Sequence, residues 1–222
     1  MACPWCGRLL PRETLTARPC DTCAGRDRRA RAWANAAGPE LLDMAVAIGV
    51  GATFCREGRL PSYDDTGLAE QIADRPLPKG GLLIVGPVGT HKTHFLCARA
   101  VDAARRGWAA RILKWPVFLM EVRATYGERA TRTDLELIRQ YAGLDFLGVD
   151  DLAIGRLEAR ESEHAVRLAY DMFDARYESG RVTDITTNAL PGELAARFDE
   201  RIARRLAELT TVYPMLVLGE QS

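Results

Sequence analysis

Leu82-Leu-Ile-Val85-Gly86-Pro-Val-Gly-Thr-His-Lys-Thr93-His-Phe-Leu-Cys-Ala-Arg-Ala-Val101 is the stretch on which the fold turns. Its first four residues are an apolar run that reads as a buried strand, and Thr93 to Val101 reads as a helix. Between them, Gly86-Pro-Val-Gly-Thr-His-Lys-Thr93 has the layout of a phosphate-binding P-loop. In such a loop the backbone N–H groups and the positive helix end face an anion. The expected binding set is Gly86, Pro87, Val88, Gly89, Thr90, His91, Lys92, Thr93 and His94. Lys92 would reach the β- and γ-phosphates of ATP or the β-phosphate of ADP, and the Thr93 hydroxyl would ligate Mg²⁺. An ordinary Gly-Pro turn does not account for Lys-Thr at the helix start.

One letter departs from the pattern: His91 stands where glycine is usual. If that position needs φ > 0, histidine costs roughly 1 kcal/mol. Its N–H survives, so phosphate binding is expected while rapid hydrolysis is less so.

Downstream, strands and helices alternate. Strands are expected at 81–85, 109–114, 144–149, 181–187 and 210–217. Helices are expected at 92–106, 116–127, 132–142, 161–179, 191–197 and 199–208. The pattern predicts an α/β fold with a mainly parallel sheet covered by helices on both faces. Upstream, Glu40 to Phe54 is apolar with helical spacing, and residues 55–80 read as loop with one short helix near 67–73. The division read from the sequence is 1–37, a cysteine module with a basic helix or linker; 38–78, a helical linker region; and 79–222, the nucleotide-binding domain.

The chain has 222 residues, 47% of them apolar, which suffices for a real core. No run of 18 apolar residues exists, so no membrane span is expected. Met1-Ala-Cys-Pro-Trp-Cys6 has no apolar leader segment, which makes a cytoplasmic location the expectation. Formal net charge is zero, yet residues 1–37 carry seven Arg against three acids. This balance permits a nucleic-acid partner on a local patch without demanding one.

Cys3-Pro-Trp-Cys6 and Cys20-Asp-Thr-Cys23 are two Cys-x-x-Cys pairs with thirteen residues between them. Four thiolates on two tight turns suit a closed tetrahedral Zn²⁺ site with no position left for water. A module this short would take its folding energy from the metal. A redox role would need a single pair beside a βαβ unit. Trp5 is a candidate exposed anchor or a packing residue, and Arg26-Asp-Arg-Arg-Ala-Arg-Ala-Trp33 reads as a helix or a basic linker.

Asp145-Phe-Leu-Gly-Val-Asp150-Asp151 is an apolar strand ending in two acids. That places them at the carboxyl edge of the sheet, where such sheets bind ligands. Asp150 is expected to hold Mg²⁺, and Asp151 to act as general base or to orient water. Asn188 or Thr187, ending Ile185-Thr-Thr-Asn188, can touch a γ-phosphate or the attacking water, or Asn188 can simply cap the next helix. His94 and His164 are otherwise read as helix-surface residues, Cys55 and Cys97 as small apolar residues, and Trp108 and Trp115 as packing residues.

Taken together, Gly86 to Leu96, Val149-Asp-Asp-Leu152, Asp174-Ala-Arg-Tyr-Glu-Ser-Gly-Arg181 and Arg201-Ile-Ala-Arg-Arg-Leu206 resemble the DnaC/IstB group of AAA+ ATPases over about residues 79–218. The resemblance implies Gly89, Lys92 and Thr93 as Walker A, Asp150 and Asp151 as Walker B, and Asn188 as sensor 1. Arg201 would be the arginine finger, with Arg205 as its alternative. Self-association through AAA+ interfaces is implied as well. So is an insertion at 116–142 that faces single-stranded DNA, with Arg123, Arg129, Arg132 and Arg139 as candidate phosphate contacts. A zinc module ahead of the ATPase resembles the DnaI-type loaders, which implies an ATP-dependent loader of a replicative ring helicase. Two other readings stay open: a non-hydrolysing nucleotide-bound adaptor, and an IstB-type transposition ATPase. The segment Gly219-Glu-Gln-Ser222 lacks the sensor 2 Arg that the resemblance puts just beyond such a sequence.

Overall fold

Five parallel strands in the order β2-β3-β4-β1-β5 form the sheet that carries everything else. The computed structural model describes residues 21–55, 59–64, 67–74, 80–125, 132–153 and 162–215. Cys3, Trp5, Cys6, Cys20 and Arg129 lie outside the described residues, and Cys23 falls where only the backbone is described.

The strands are β1 (Gly81–Val85), β2 (Ala110–Lys114), β3 (Phe146–Asp150), β4 (Val182–Thr187) and β5 (Thr210–Pro214). Helices precede the sheet as α1 (Asp21–Asn35), α2 (Pro39–Ala47) and α3 (Leu68–Asp74), with a 3-10 turn at Ala52–Phe54. Within the sheet region come α4 (Lys92–Arg105), α5 (Trp115–Ala124), α6 (Asp134–Ala142), α7 (Glu163–Glu178), α8 (Pro191–Arg197) and α9 (Glu200–Leu209). The expected α/β class is what forms. Each of β1 to β4 is followed by one or more helices, so the chain returns to the same edge and the strands run parallel.

Alternation within the strands divides the core in two. Leu83, Val85, Leu147, Val149 and Ile185 pack with α5 to α9 on one face. Leu82, Ile84, Ile112 and Phe146 pack with α1, α2 and α4 on the other. Strand β1 is central, paired to β4 through Leu83↔Ile185 and to β5 through Leu83↔Val212. The chain thus places its first strand between its last two, and the crevice at that carboxyl edge is where ligands of such sheets sit.

Two buried polar ties fix the framework. Asp184 on β4 is fully buried, accepts the Leu82 N–H at 3.0 Å, and pairs with the Arg99 guanidinium on α4. Burial pushes the Asp184 carboxyl up, and Arg99 opposes this. Arg176 on α7 is also fully buried, donating to the carbonyls of Tyr141, Leu144 and Val182 and to the Thr183 hydroxyl. It thereby stitches the α6–β3 connection to β4.

Helix α1 lies against the end of α4. Arg26 donates to Asp145 Oδ1 at 3.1 Å and sits over the Trp108 ring, while Arg29 Nε donates to the Gly107 carbonyl at 2.7 Å. Trp33 is buried in the core beneath. Gly107 makes this approach possible: its φ is 77°, and a Cβ there would stand 2.0 Å from the Arg26 carbonyl oxygen. The segment read as helix or basic linker is helix, and Arg26 and Arg29, though partly exposed, each spend donors on contacts within the chain.

Candidate nucleotide site

The P-loop turns at two left-handed residues. Gly89 has φ 88°, which glycine adopts without steric cost. His91 has φ 61° and ψ 23° and stands as the N-cap of α4. The positive φ considered for that position is present, at a cost of about 1–2 kcal/mol for a residue with a Cβ. Its side chain is exposed and lines the cleft. The N–H groups of the first helical turn lack intrahelical acceptors, which leaves them aimed at the loop.

Lys92 is buried, and its Nζ donates to the Gly86 and Pro87 carbonyls at 2.7 Å each. Burial pushes its pKa down, while Asp151 and Asp150 pull it up. Thr90 Oγ1 donates to the Pro87 carbonyl at 2.9 Å and braces the loop from inside. Thr93 Oγ1 donates to Asp150 Oδ1 at 3.0 Å, joining residues 57 apart. Asp150 closes β3, is 2% exposed, and accepts a second hydroxyl, that of Thr186, at 2.7 Å. A threonine hydroxyl and a carboxylate side by side beneath a lysine form a hard oxygen donor set that fits Mg²⁺ carried by phosphates.

Asp151 follows with φ 61°, and Ala153 with φ 62°. Their turn is held by β4. The Asp151 N–H donates to Thr186 Oγ1 at 2.8 Å, the Leu152 N–H to the Thr186 carbonyl at 2.9 Å, and Thr187 Oγ1 to the Leu152 carbonyl at 2.9 Å. Arg197, 4% exposed at the end of α8, donates to the Ala153 carbonyl. Burial, helped by Asp150, pushes the Asp151 carboxyl up, against the pull of Lys92 and Lys114.

The cleft over these groups has a volume of about 480 Å³ and is lined by Thr53, Phe54, Val88, Gly89, His91, Lys92, Thr93, His94, Asp151 and Asn188. The P-loop residues, Asp151 and Asn188 thus line one space, and Asp150 lies buried directly behind Thr93. Asn188 is exposed. Thr187 is not available to a phosphate: its hydroxyl is buried between the Leu152 carbonyl and the Ala189 N–H. His94 is not a surface residue. It is 7% exposed, packed edge-on against Phe54 at 6.0 Å, because the 3-10 turn folds over the first turn of α4. His164 is part-buried and pairs with Asp134 at 3.3 Å. Cys97 is buried, which pushes its thiol up to about 12, and Cys55 is half-buried.

Arg201 and Arg205 lie on α9, outside the cleft lining. Arg201 is 73% exposed and touches Asp199 at 3.0 Å. Arg205 is held by Asp174 at 2.5 Å and Glu208 at 2.6 Å. Of the insertion arginines, Arg123 is exposed on α5, Arg139 lies on α6, and Arg132 donates to Gln140 at 2.8 Å. Thr53, Phe54, Thr186 and Arg197 were not singled out by the sequence. Only Thr186 left a signal, as the partner of Thr187 at the end of a strand. Which of the two faces the acids follows from the register Val149↔Ile185.

Among the described residues no helix is long and apolar enough to cross a membrane, and no three metal-binding side chains cluster.

Comparison with known proteins agrees with this geometry. The chain is 34% identical over 110 residues to the ATP-binding protein of insertion sequence IS1162 from Pseudomonas fluorescens. That match covers 50% of this chain and 44% of the relative, so it spans under half of that protein's length. Among solved structures, the DnaC helicase loader has a TM-score of 0.54 at 20% identity, covering 68% of this chain and 88% of that one. DnaI has a TM-score of 0.55 at 20% identity, covering 75% and 92%. The replication initiator DnaA bound to AMPPCP and single-stranded DNA has a TM-score of 0.57 at 17% identity, covering 76% and 51%. At these identities the likeness shows a shared fold. Residues 78–208 match the model of the IstB-like ATP binding proteins, and with Lys92, Thr93, Asp150 and Asp151 gathered at one sheet edge, the chain belongs to that family.

Proposed function

We propose that this chain is a Mg·ATP-dependent assembly ATPase that loads a replicative ring helicase onto single-stranded DNA. The observation that carries the nucleotide half is the Thr93–Asp150 contact at 3.0 Å behind the buried Lys92. Thr93 and Asp150 would hold Mg²⁺, whose role when bound is to neutralise charge on the β- and γ-phosphates. Lys92 would exchange the Gly86 and Pro87 carbonyls for phosphate oxygens. Asp151 and Asn188, lining the same cleft, would orient water toward the γ-phosphate, and Arg201 of a neighbouring copy would supply the finger. Arg205, tied to two acids, is the weaker candidate.

The partner half rests on the sequence. Cys3, Cys6, Cys20 and Cys23 would close a structural zinc site that grips the helicase, with Cys23 inside the first turn of α1. Metal analysis should find one zinc per chain; none would remove this module from the reading. The arginines of α5 and α6 would meet the DNA strand. A second reading, a transposition ATPase, is favoured by the 34% identical relative from an insertion sequence.

One experiment addresses both halves. Full-length chain, with and without Lys92→Ala, is tested for ATP binding and phosphate release in the presence of single-stranded DNA, then used as bait in host lysate. ATP binding lost in the variant, turnover above it, and recovery of the ring helicase support the loader. A transposase on the bait supports the second reading. Binding without turnover would make the protein a nucleotide-bound adaptor.

A further inference from the structure

We propose that Arg197 is a positioning residue: it sets the place of Asp151 from α8, and so couples the α8–α9 corner to the water-orienting acid. The inference rests on the reading of this cleft as an ATP site, and it goes beyond the motifs that define that site.

The turn from Asp150 to Ala153 holds two left-handed residues that carry a Cβ, Asp151 at φ 61° and Ala153 at φ 62°. Backbone of this kind persists only where its surroundings over-determine it. Three of the tethers come from β4, through Thr186 and Thr187. The far end of the turn is held from elsewhere. The Ala153 carbonyl accepts from Arg197 across 44 residues of sequence, and both groups are buried. Arginine suits the task because its planar donor fork reaches a carbonyl from a helix end.

What lies on the other side of Arg197 gives the contact its meaning. The next residue, Phe198, packs edge-on against Trp115 at 5.6 Å. Asp199 then caps α9 by accepting the Ile202 N–H at 2.9 Å, and it holds Arg201 at 3.0 Å. A short path along the chain, Arg201 to Asp199 to Arg197, and one contact across the fold therefore connect the exposed Arg201 to Ala153 and Asp151. A neighbouring copy that engaged Arg201 would load this corner. The corner cannot tilt without carrying the Ala153 carbonyl, and with it the backbone on which Asp151 stands. Lys92 and Thr93 sit on α4 and are held by separate bonds. Loss of Arg197 should therefore leave nucleotide seating intact and misplace only the acid.

Arg197→Met and Arg197→Lys in the full-length chain test this. Calorimetry with ATP and Mg²⁺ should give dissociation constants within about twofold of the parent for both. Phosphate release should fall at least tenfold in kcat for Arg197→Met, with KM little changed, and recover in part for Arg197→Lys, whose ammonium can still donate to the carbonyl. Hydrogen exchange gives a readout independent of turnover: the peptide covering Val149 to Ala153 should lose protection in Arg197→Met while α4 keeps its own. Failure of the parent to bind ATP would sink the reading of the site itself. Unchanged protection of that peptide in Arg197→Met, or equal loss of affinity and kcat, would overturn the role given to Arg197. If Arg197→Met does not fold, Arg197→Lys carries the same two comparisons.

Discussion

Replacing His91 by glycine should stabilise the protein, against the usual outcome for a helix-terminal substitution. His91 holds φ 61° at the N-cap of α4, and its exposed imidazole contributes no core packing. Removing the Cβ relieves about 1–2 kcal/mol of left-handed strain. The added freedom of glycine in the unfolded chain costs back about 0.5–1 kcal/mol. The net gain is about 0–1.5 kcal/mol, centred near 0.75, which for a chain of this size raises Tm by up to roughly 6 °C. Thermal and urea unfolding of the parent, His91→Gly and His91→Ala without nucleotide would measure it. Alanine removes the imidazole but keeps the strain, so it should track the parent. With saturating Mg·ATP all three should gain equally, by about 2.7 kcal/mol at a hundredfold excess over Kd. Should His91→Gly prove less stable than the parent, or His91→Ala rise as far as glycine, the strain assigned to this backbone position is wrong. In the second case the imidazole itself would be the unfavourable element.

Asp151→Asn should abolish phosphate release yet raise stability at neutral pH, since it removes an ionised carboxyl that burial, and after it Asp150, disfavours. The sign follows from the raised carboxyl. A folded-state pKa above the unfolded value penalises the ionised form, so the parent carries the cost at neutral pH and sheds it as pH falls through the folded pKa toward 3.8. The advantage of the variant in Tm should shrink to nothing over that window; a gain persisting in acid would contradict it. Gly107→Val meets both a φ of 77° and a carbonyl 2.0 Å from its new Cβ. It should cost about 2 kcal/mol or more in urea unfolding and release α1, seen as lost amide protection from Asp21 to Asn35, with ATP binding kept. Wild-type protection would mean α1 is not seated as described.

What the sequence made legible is chemistry carried by contiguous residues. The strand Gly81–Val85 and helix α8 fall at their expected bounds, and Lys92, Thr93 and the acid pair converge because loop and strand ends share one sheet edge. Strand order was not legible. Five short apolar strands offer no local sign of which neighbour each will choose, and the pairing of β1 with both β4 and β5 spans about a hundred residues or more. The same limit hid the seat of α1. Arg26 and Arg29 look like solvated charge until Asp145 and Gly107 are brought to them from 119 and 78 residues away. His94 misled because its residue type suggested a surface, although its helical neighbours Cys97, Ala98 and Val101 are buried and the turn at Ala52–Phe54 packs against it.

The fixed points of α4 bear on how a nucleotide signal leaves the cleft. The helix is held at its start by Lys92 on the loop carbonyls, at its middle by Arg99 on the buried Asp184, and just past its end by α1 against Gly107. A rod of 14 residues, about 21 Å long, pinned at three places along its length behaves as a strut and resists displacement. The Walker B turn is different in kind, since its strained backbone depends on a few side-chain bonds from two separate elements. Breaking the α8 bond there costs one contact, whereas moving α4 would require breaking the ion pair with a fully buried carboxylate, a loss of about 3–5 kcal/mol. Communication between bound nucleotide and a neighbouring copy should therefore run through Asp151, Ala153 and Arg197 to α9. The opposite end of α4, where α1 is seated against Gly107, would then stay still as ATP comes and goes.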